Sequence, residues 1–273
     1  RMYLKKIESK FFFKKTDDEV ITTFSNKQIT ELSNFGYLEN PIVIDSSKAD
    51  KIKLFLDSKL MHEPEAQNNN YFLLNDKPDS SKRGFYKCED VVLAPHVLDI
   101  ANDPILLSIA HNYFGAIPII DYIGSWWSFP SKDLALTQSF HRDIDTLNSL
   151  KFFVYLTDVD STSGPHVYVR SSHNSDLSTI KDKMHHDNEI IQEFSDKNLI
   201  SLKGPKGYTF IADTFGFHKG LAPTSNDRLV LQIIYTLKRT PFSPKKPFVN
   251  RANALQLLSR PYSKYINQNI IST

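Results

Sequence analysis

Cysteine is almost missing from this chain: Cys88 is the one thiol among 273 residues. That excludes an internal disulfide and any multi-thiolate zinc site, and it agrees with a reducing compartment. Long apolar runs are missing too. The longest uncharged apolar stretches, Ala116–Ile120 and Leu229–Tyr235, fall far short of the ~20 residues that cross a bilayer, so no membrane span is expected. Nor does one sign of charge dominate. With 33 Lys and Arg against 31 Asp and Glu, the formal charge is +2, too balanced for a general polyanion binder, and no nucleic-acid partner is expected. Residues Arg1 to Lys15 mix lysines with Phe11–Phe13 and lack the apolar core and cleavage site of a secretory signal. A cytoplasmic location is therefore expected. No repeat, low-complexity block or Pro/Gly-rich linker divides the chain. One domain over 1–273 is the simplest organisation, and 40% hydrophobic residues suffice for a sizeable core.

Helix signals occupy the first half, about 25–115. Ser25 with Gln28 reads as a capping box ahead of Ile29, Leu32 and Phe35, with a stop at Gly36. A second helix is expected from about Ser47 to Leu60, with Ile52, Phe55, Leu56 and Leu60 on one side. A third has Asp103 as cap, Pro104 at the first helical position and Gly115 at the left-handed stop. The polar stretch Asn68–Arg83 reads as a surface loop. From about 117 to 240 the pattern changes to short β-branched and aromatic runs: Ile119–Trp127, Leu150–Leu156, His166–Val169, Tyr208–Ala212 and Leu229–Leu237. Such strands close as a sandwich, jelly roll or barrel. The charged stretch Ser175–Lys197 interrupts them and reads as an insertion, a lid over one mouth. Ala252–Leu258 reads as a last short helix.

Two sequence contexts carry chemistry. In Ser139-Phe140-His141-Arg142-Asp143 the histidine and aspartate stand two apart, so on an extended segment both side chains leave the same face. Far downstream, Asp213-Thr214-Phe215-Gly216-Phe217-His218 supplies another imidazole at a strand end, and Arg228 follows ten residues later. That spacing lets a hairpin place Arg228 beside the His218 strand. Two imidazoles and one carboxylate on one face of an octahedron leave three positions open, the arrangement of non-haem ferrous oxygenases. A 2-oxo diacid then needs a permanent, bidentate cation for its remote carboxylate, and a guanidinium such as that of Arg228 meets that need.

These segments resemble the phytanoyl-CoA dioxygenase-like branch of the iron(II)/2-oxoglutarate-dependent oxygenases. The likeness runs through Gln138–Asp143, Leu150–Asp160, Ser163–Val169, Ser172-His173, Asp213–His218 and Arg228, and covers most of the chain from about residue 25 to 240. It implies a mainly β fold with flanking helices: a double-stranded β-helix core, a jelly roll of cupin type. It further implies His141, Asp143 and His218 as iron ligands and Arg228 as the anchor for 2-oxoglutarate. The implied activity is an Fe(II)-, 2-oxoglutarate- and O2-dependent hydroxylation of a small or medium substrate, releasing succinate and CO2. Arg170-Ser171-Ser172-His173 departs from the Pro-Gly-Ser-His usual in the family, which touches the entry to the lid rather than the ligands.

Other residues carry two readings. Lys151 shares a predicted strand face with Phe153 and Tyr155, and reads equally as partner to an anion in the barrel mouth or as an edge lysine reaching water. Trp126 and Ser128 are candidates for the cosubstrate wall, with aromatic core packing as the competing reading for Trp126 and Trp127. His173 stands between the site and a structural hydrogen bond; His185 and His186 read as solvent-exposed, Lys245 and Lys246 as a solvated segment, and Cys88 as ordinary packing. A cupin-like isomerase or hydrolase using the same metal set is the alternative activity, and it has no use for Arg228.

Overall fold

The computed structural model describes residues 8, 10, 26–63, 71–131, 138–144, 146–175 and 184–272. The chain opens with α1 (Asn26–Phe35), β1 (Tyr37–Glu39), α2 (Ser46–Asp57), β2 (Met61–His62), β3 (Tyr71–Phe72) and β4 (Arg83–Tyr86). Three helices follow, α3 (Cys88–Leu93), α4 (Val97–Ala101) and α5 (Pro104–Phe114). Then come β5 (Ile119–Ser128), β6 (Phe140–His141), β7 (Ser149–Tyr155), β8 (His166–Val169), β9 (Met184–His185) and α6 (Asp187–Phe194). The chain finishes with β10 (Leu199–Leu202), β11 (Thr209–Ala212), β12 (His218–Gly220), β13 (Arg228–Thr236) and α7 (Arg251–Leu257). Among the described residues, no helix is long and apolar enough to cross a membrane.

The named strands form two antiparallel sheets, ordered β1-β11-β7-β13-β5-β4-β2-β3 and β10-β8-β12-β6-β9. They face one another as a jelly roll, and period-two alternation explains the layers. Along β7, Leu150, Phe152 and Val154 point to the helices, while Phe153 and Tyr155 point between the sheets. Along β13, Leu229, Leu231 and Ile233 join the helix-side core, and Arg228, Val230 and Gln232 face the interior cavity. On the smaller sheet, Val167, Val169 and Phe217 pack outward with Ile190 of α6, which leaves His166 and His218 turned inward. Polar residues of the interior therefore share faces with aromatics rather than interrupting the main core.

Local chemistry sets the helix ends. Asp103 accepts a hydrogen bond from the Ile105 amide at 2.9 Å, Pro104 opens α5, and Gly115 stops it at φ +70°. Asp103→Ala removes that cap, and urea unfolding is expected to show a stability loss of about 1 kcal/mol. The second helix starts one residue earlier than expected, because Asp45 caps it, accepting from the Ser47 amide at 2.7 Å. It ends at Asp57, so Leu60 lies beyond its buried face of Ala49, Ile52 and Leu56 and is 47% exposed. The Ser25 cap of α1 lies outside the described residues.

Two further expectations change. The stretch read as a surface loop is partly sheet: Tyr71–Phe72 pairs with β2, and Arg83 opens β4. Strands of two residues display no periodicity, so the polar composition masked them. His185 is 5% exposed rather than solvated, because pairing of β9 with β6 sets its ring edge-on to Phe217 at 5.3 Å; His186 is exposed as expected. Residues 176–183 of the Ser175–Lys197 insertion lie outside the described residues.

Candidate metal and cosubstrate site

His141 ends β6 and His218 begins β12, and the two are direct cross-strand partners. Their ring centroids stand 4.3 Å apart. Each ring is steered by its own backbone: His141 Nδ1 lies 2.9 Å from the Ser139 carbonyl, and His218 Nδ1 lies 2.9 Å from the Gly216 carbonyl. A carbonyl only accepts, so each Nδ1 carries the proton and each Nε2 keeps its lone pair. Asp143 joins from the segment after β6, where its amide donates to the Thr214 carbonyl at 2.9 Å. One ligand atom from each of His141, Asp143 and His218 lies within 4.8 Å of the others.

The turn that presents His218 is held from several sides. The Asp213 amide donates to the Gly36 carbonyl at 2.8 Å, and the Tyr168 hydroxyl donates to the Asp213 carbonyl at 2.8 Å. Ser172 Oγ accepts from the Phe217 amide at 2.8 Å and donates to the Val169 carbonyl at 2.6 Å. His173 belongs to this scaffold: its Nε2 bonds the Ser33 carbonyl at 3.0 Å, away from the cavity. Ser171 stands at φ +65°, where the related pattern has glycine, and its hydroxyl donates to the Asn34 carbonyl at 2.8 Å. The bend is retained despite the non-glycine residue.

Arg228 reaches the same cavity from the opposite sheet. No hairpin joins it to the His218 strand: β12 pairs with β6 and β8, whereas β13 pairs with β5 and β7. The seven residues between the two strands, 221–227, carry the chain across the sandwich, and sequence spacing cannot distinguish that crossing from a hairpin. Arg228 is registered opposite Ser128, and its Nη2 donates to Ser128 Oγ at 3.2 Å. Gly220 makes room for the guanidinium, since a Cβ there would lie 3.0 Å from Nη2.

The cavity has a volume of about 230 Å³. Seven residues singled out in the sequence line it: His141, Asp143, His218, Arg228, Lys151, Trp126 and Ser128. Trp127, one residue along β5, points into the core instead and donates its indole N–H to Tyr86 at 2.9 Å. Lys151 places its ammonium 2.6 Å from Asp143 Oδ2, so the anion it meets is the candidate metal ligand itself. Two further residues line the cavity without a strong signal in the sequence: Arg83, at the end of a polar stretch, and His166. Alternation along β8 could have found His166, because Val167 and Val169 face outward. The His166 ring stacks on His218 at 5.3 Å and touches Phe153 and Phe210.

Electrostatics keep these groups in coordinating forms. Burial, reinforced by neighbouring His141, lowers the His218 pKa to about 3, and burial with His218 and Arg228 nearby holds His166 well below the ordinary histidine value. Both imidazoles are neutral near neutral pH. Burial by itself would raise Asp143, but Lys151, followed by His218 and His141, outweighs it and holds the carboxyl below its usual range. Arg228 is lowered by burial, yet a guanidinium stays charged. Asp143 Oδ2 is buried, lies 3.4 Å from His218 Nε2 and lacks a well-directed hydrogen bond. A carboxylate oxygen held by an ion pair with Lys151, beside two bare imidazole nitrogens, is a donor set that fits a divalent ion.

No family model matches the sequence, and no curated protein sequence matches it. Solved structures do match, at sequence identities that establish the fold. SnoK from nogalamycin biosynthesis, a non-haem α-ketoglutarate-dependent carbocyclase, is 18% identical, with a TM-score of 0.58 over 79% of this chain and 86% of its own. HygX from Streptomyces hygroscopicus, solved with nickel and 2-oxoglutarate, is 16% identical, with a TM-score of 0.55 over 81% and 89%. EctD from S. alaskensis, solved with bound iron, is 15% identical, with a TM-score of 0.56 over 94% and 87%. The chain thus has the jelly-roll fold of non-haem iron, 2-oxoglutarate-dependent enzymes, arrived at without detectable sequence similarity to a curated protein.

Proposed function

We propose that this protein is an Fe(II)- and 2-oxoglutarate-dependent oxygenase of the phytanoyl-CoA dioxygenase-like type that hydroxylates a C–H bond of a small or medium organic molecule. The observation that carries this reading is the meeting of His141, Asp143 and His218 on one wall of a cavity with Arg228 on the facing wall. His141, Asp143 and His218 are the metal ligands in this reading, and an iron(II) ion held there supplies the activation of dioxygen. Arg228, steadied by Ser128, binds the remote carboxylate of 2-oxoglutarate and sets its distance from the ligands. Phe153, Tyr155, Phe210 and Trp126 give that space an apolar wall that limits water. Net, one atom of dioxygen enters the substrate C–H bond and the other enters succinate, with loss of CO2. The similar structures include a carbocyclase, so fold alone does not select hydroxylation. The presence of the carboxylate Asp143 beside the two imidazoles supports it.

Anaerobic addition of Fe(II) and 2-oxoglutarate is expected to produce a visible charge-transfer band. Arg228→Ala should weaken 2-oxoglutarate binding, followed by that band, about 100-fold, since a bidentate charged contact is lost. A wild type without the band, together with an Arg228→Ala variant indistinguishable from it, would favour the metal-dependent isomerase or hydrolase instead.

A further inference from the structure

Lys151 sits third in β7, opposite Ala212 and Ile234, with its side chain 13% exposed and its ammonium on Asp143 Oδ2. That same oxygen lies 3.4 Å from His218 Nε2, so it faces the space a metal ion needs. A lysine ammonium is a compact point charge on a flexible stem, able to leave a partner without moving the backbone. Among the described residues lining the cavity, Asp143 is the only acid, whereas Arg83 and Arg228 add further positive charge. An ammonium that gives up Asp143 therefore has no second carboxylate on that wall and faces the ligand space.

We propose that Lys151 is a displaceable resident cation: it neutralises Asp143 in the metal-free protein, yields that oxygen to the divalent ion, and then serves the anionic cosubstrate. The inference rests on the oxygenase reading above and adds a coupling to it. Lys151 lowers affinity for the ion, through competition for Oδ2 and through like-charge repulsion, and raises affinity for a dianion afterwards. With the ion, Asp143, Lys151 and Arg228, the site carries +3, and a dianion reduces this to +1. Without Lys151 the corresponding values are +2 and 0. Binding of ion and cosubstrate thus becomes cooperative, because the first step frees the group that the second uses.

The test is Lys151→Met, which keeps length and removes charge, with Mn(II) as the probe ion. Free Mn(II), followed by electron paramagnetic resonance, is expected to show about tenfold tighter ion binding than wild type. Calorimetric titration of the Mn(II)-loaded protein with 2-oxoglutarate should show about tenfold weaker binding; each shift corresponds to about 1.4 kcal/mol of opposite sign. A merely structural lysine would weaken both or neither. Ion affinity that is unchanged or weaker in Lys151→Met overturns the proposal, leaving Lys151 as a buttress for Asp143. Lys151→Gln provides the same comparison should the methionine variant fail to fold. Failure of the wild type to bind Mn(II) at all is a separate result, and it removes the oxygenase reading together with this one.

Discussion

Asp143→Asn should keep the shape of the site and lose its function: Mn(II) or Fe(II) affinity should fall at least about 100-fold, with succinate formation dropping to background. The amide matches the carboxylate in volume, so packing around the Asp143 amide bond to Thr214 should persist. What disappears is the negative charge that offsets part of the ion's double charge, in a setting where the neutral His218 contributes none. Direct titration of the ion separates a ligand role from a folding role, provided the circular dichroism and thermal midpoint stay near those of wild type. Undiminished turnover in Asp143→Asn would remove this residue from the site.

Gly36→Ala is expected to destabilise the fold strongly, although Gly36 touches neither ligand nor cavity. Its φ of +83° is a left-handed conformation, and a Cβ there would lie 2.2 Å from the Tyr168 hydroxyl and 2.5 Å from His173 Nδ1. Both neighbours are buried and hydrogen-bonded, so neither has room to retreat. Backbone strain and overpacking together cost about 3–5 kcal/mol, and a chain of this size should lose roughly 10 °C in thermal midpoint. Gly115→Ala is the control. Its φ is +70°, but nothing lies within 4 Å of the added carbon, so only the conformational cost of about 1 kcal/mol remains. Equal losses in the two variants would contradict the steric account. The Gly36 clash also has a route to the site: Tyr168 holds the Asp213 carbonyl, and the adjacent Thr214 carbonyl holds the Asp143 amide. Ion affinity should therefore fall in Gly36→Ala beyond what unfolded protein explains.

Five of the strands were legible as β-branched and aromatic runs, with ends within one residue of those observed. The cap chemistry of Asp103, Pro104 and Gly115 was equally plain. Those features depend on neighbours in sequence, where side-chain alternation and backbone preference act directly. The short strands β2, β3, β6, β9 and β12 were not legible, because two or three residues express no period and are held only by their partners. That is why a stretch containing β3 read as a loop and His185 read as exposed.

The candidate site divides along the same line. His141 and Asp143 could be paired from their spacing, and His218 and Arg228 could be chosen from their residue types and the pattern they resemble. Which wall each occupies depended on the fold. β12 and β13 belong to opposite sheets, so His218 and Arg228 face one another across a cavity instead of lying side by side. The partner of Lys151 and the inward turn of His166 were settled likewise by strand register and by which sheet face is buried. The sequence by itself determined the chemistry on offer: two imidazoles, one acid, two or more cations and the strand grammar to carry them. Only the tertiary structure decided their meeting, because contacts between residues roughly 75 to 100 positions apart arise from sheet pairing and core burial, which no local pattern encodes.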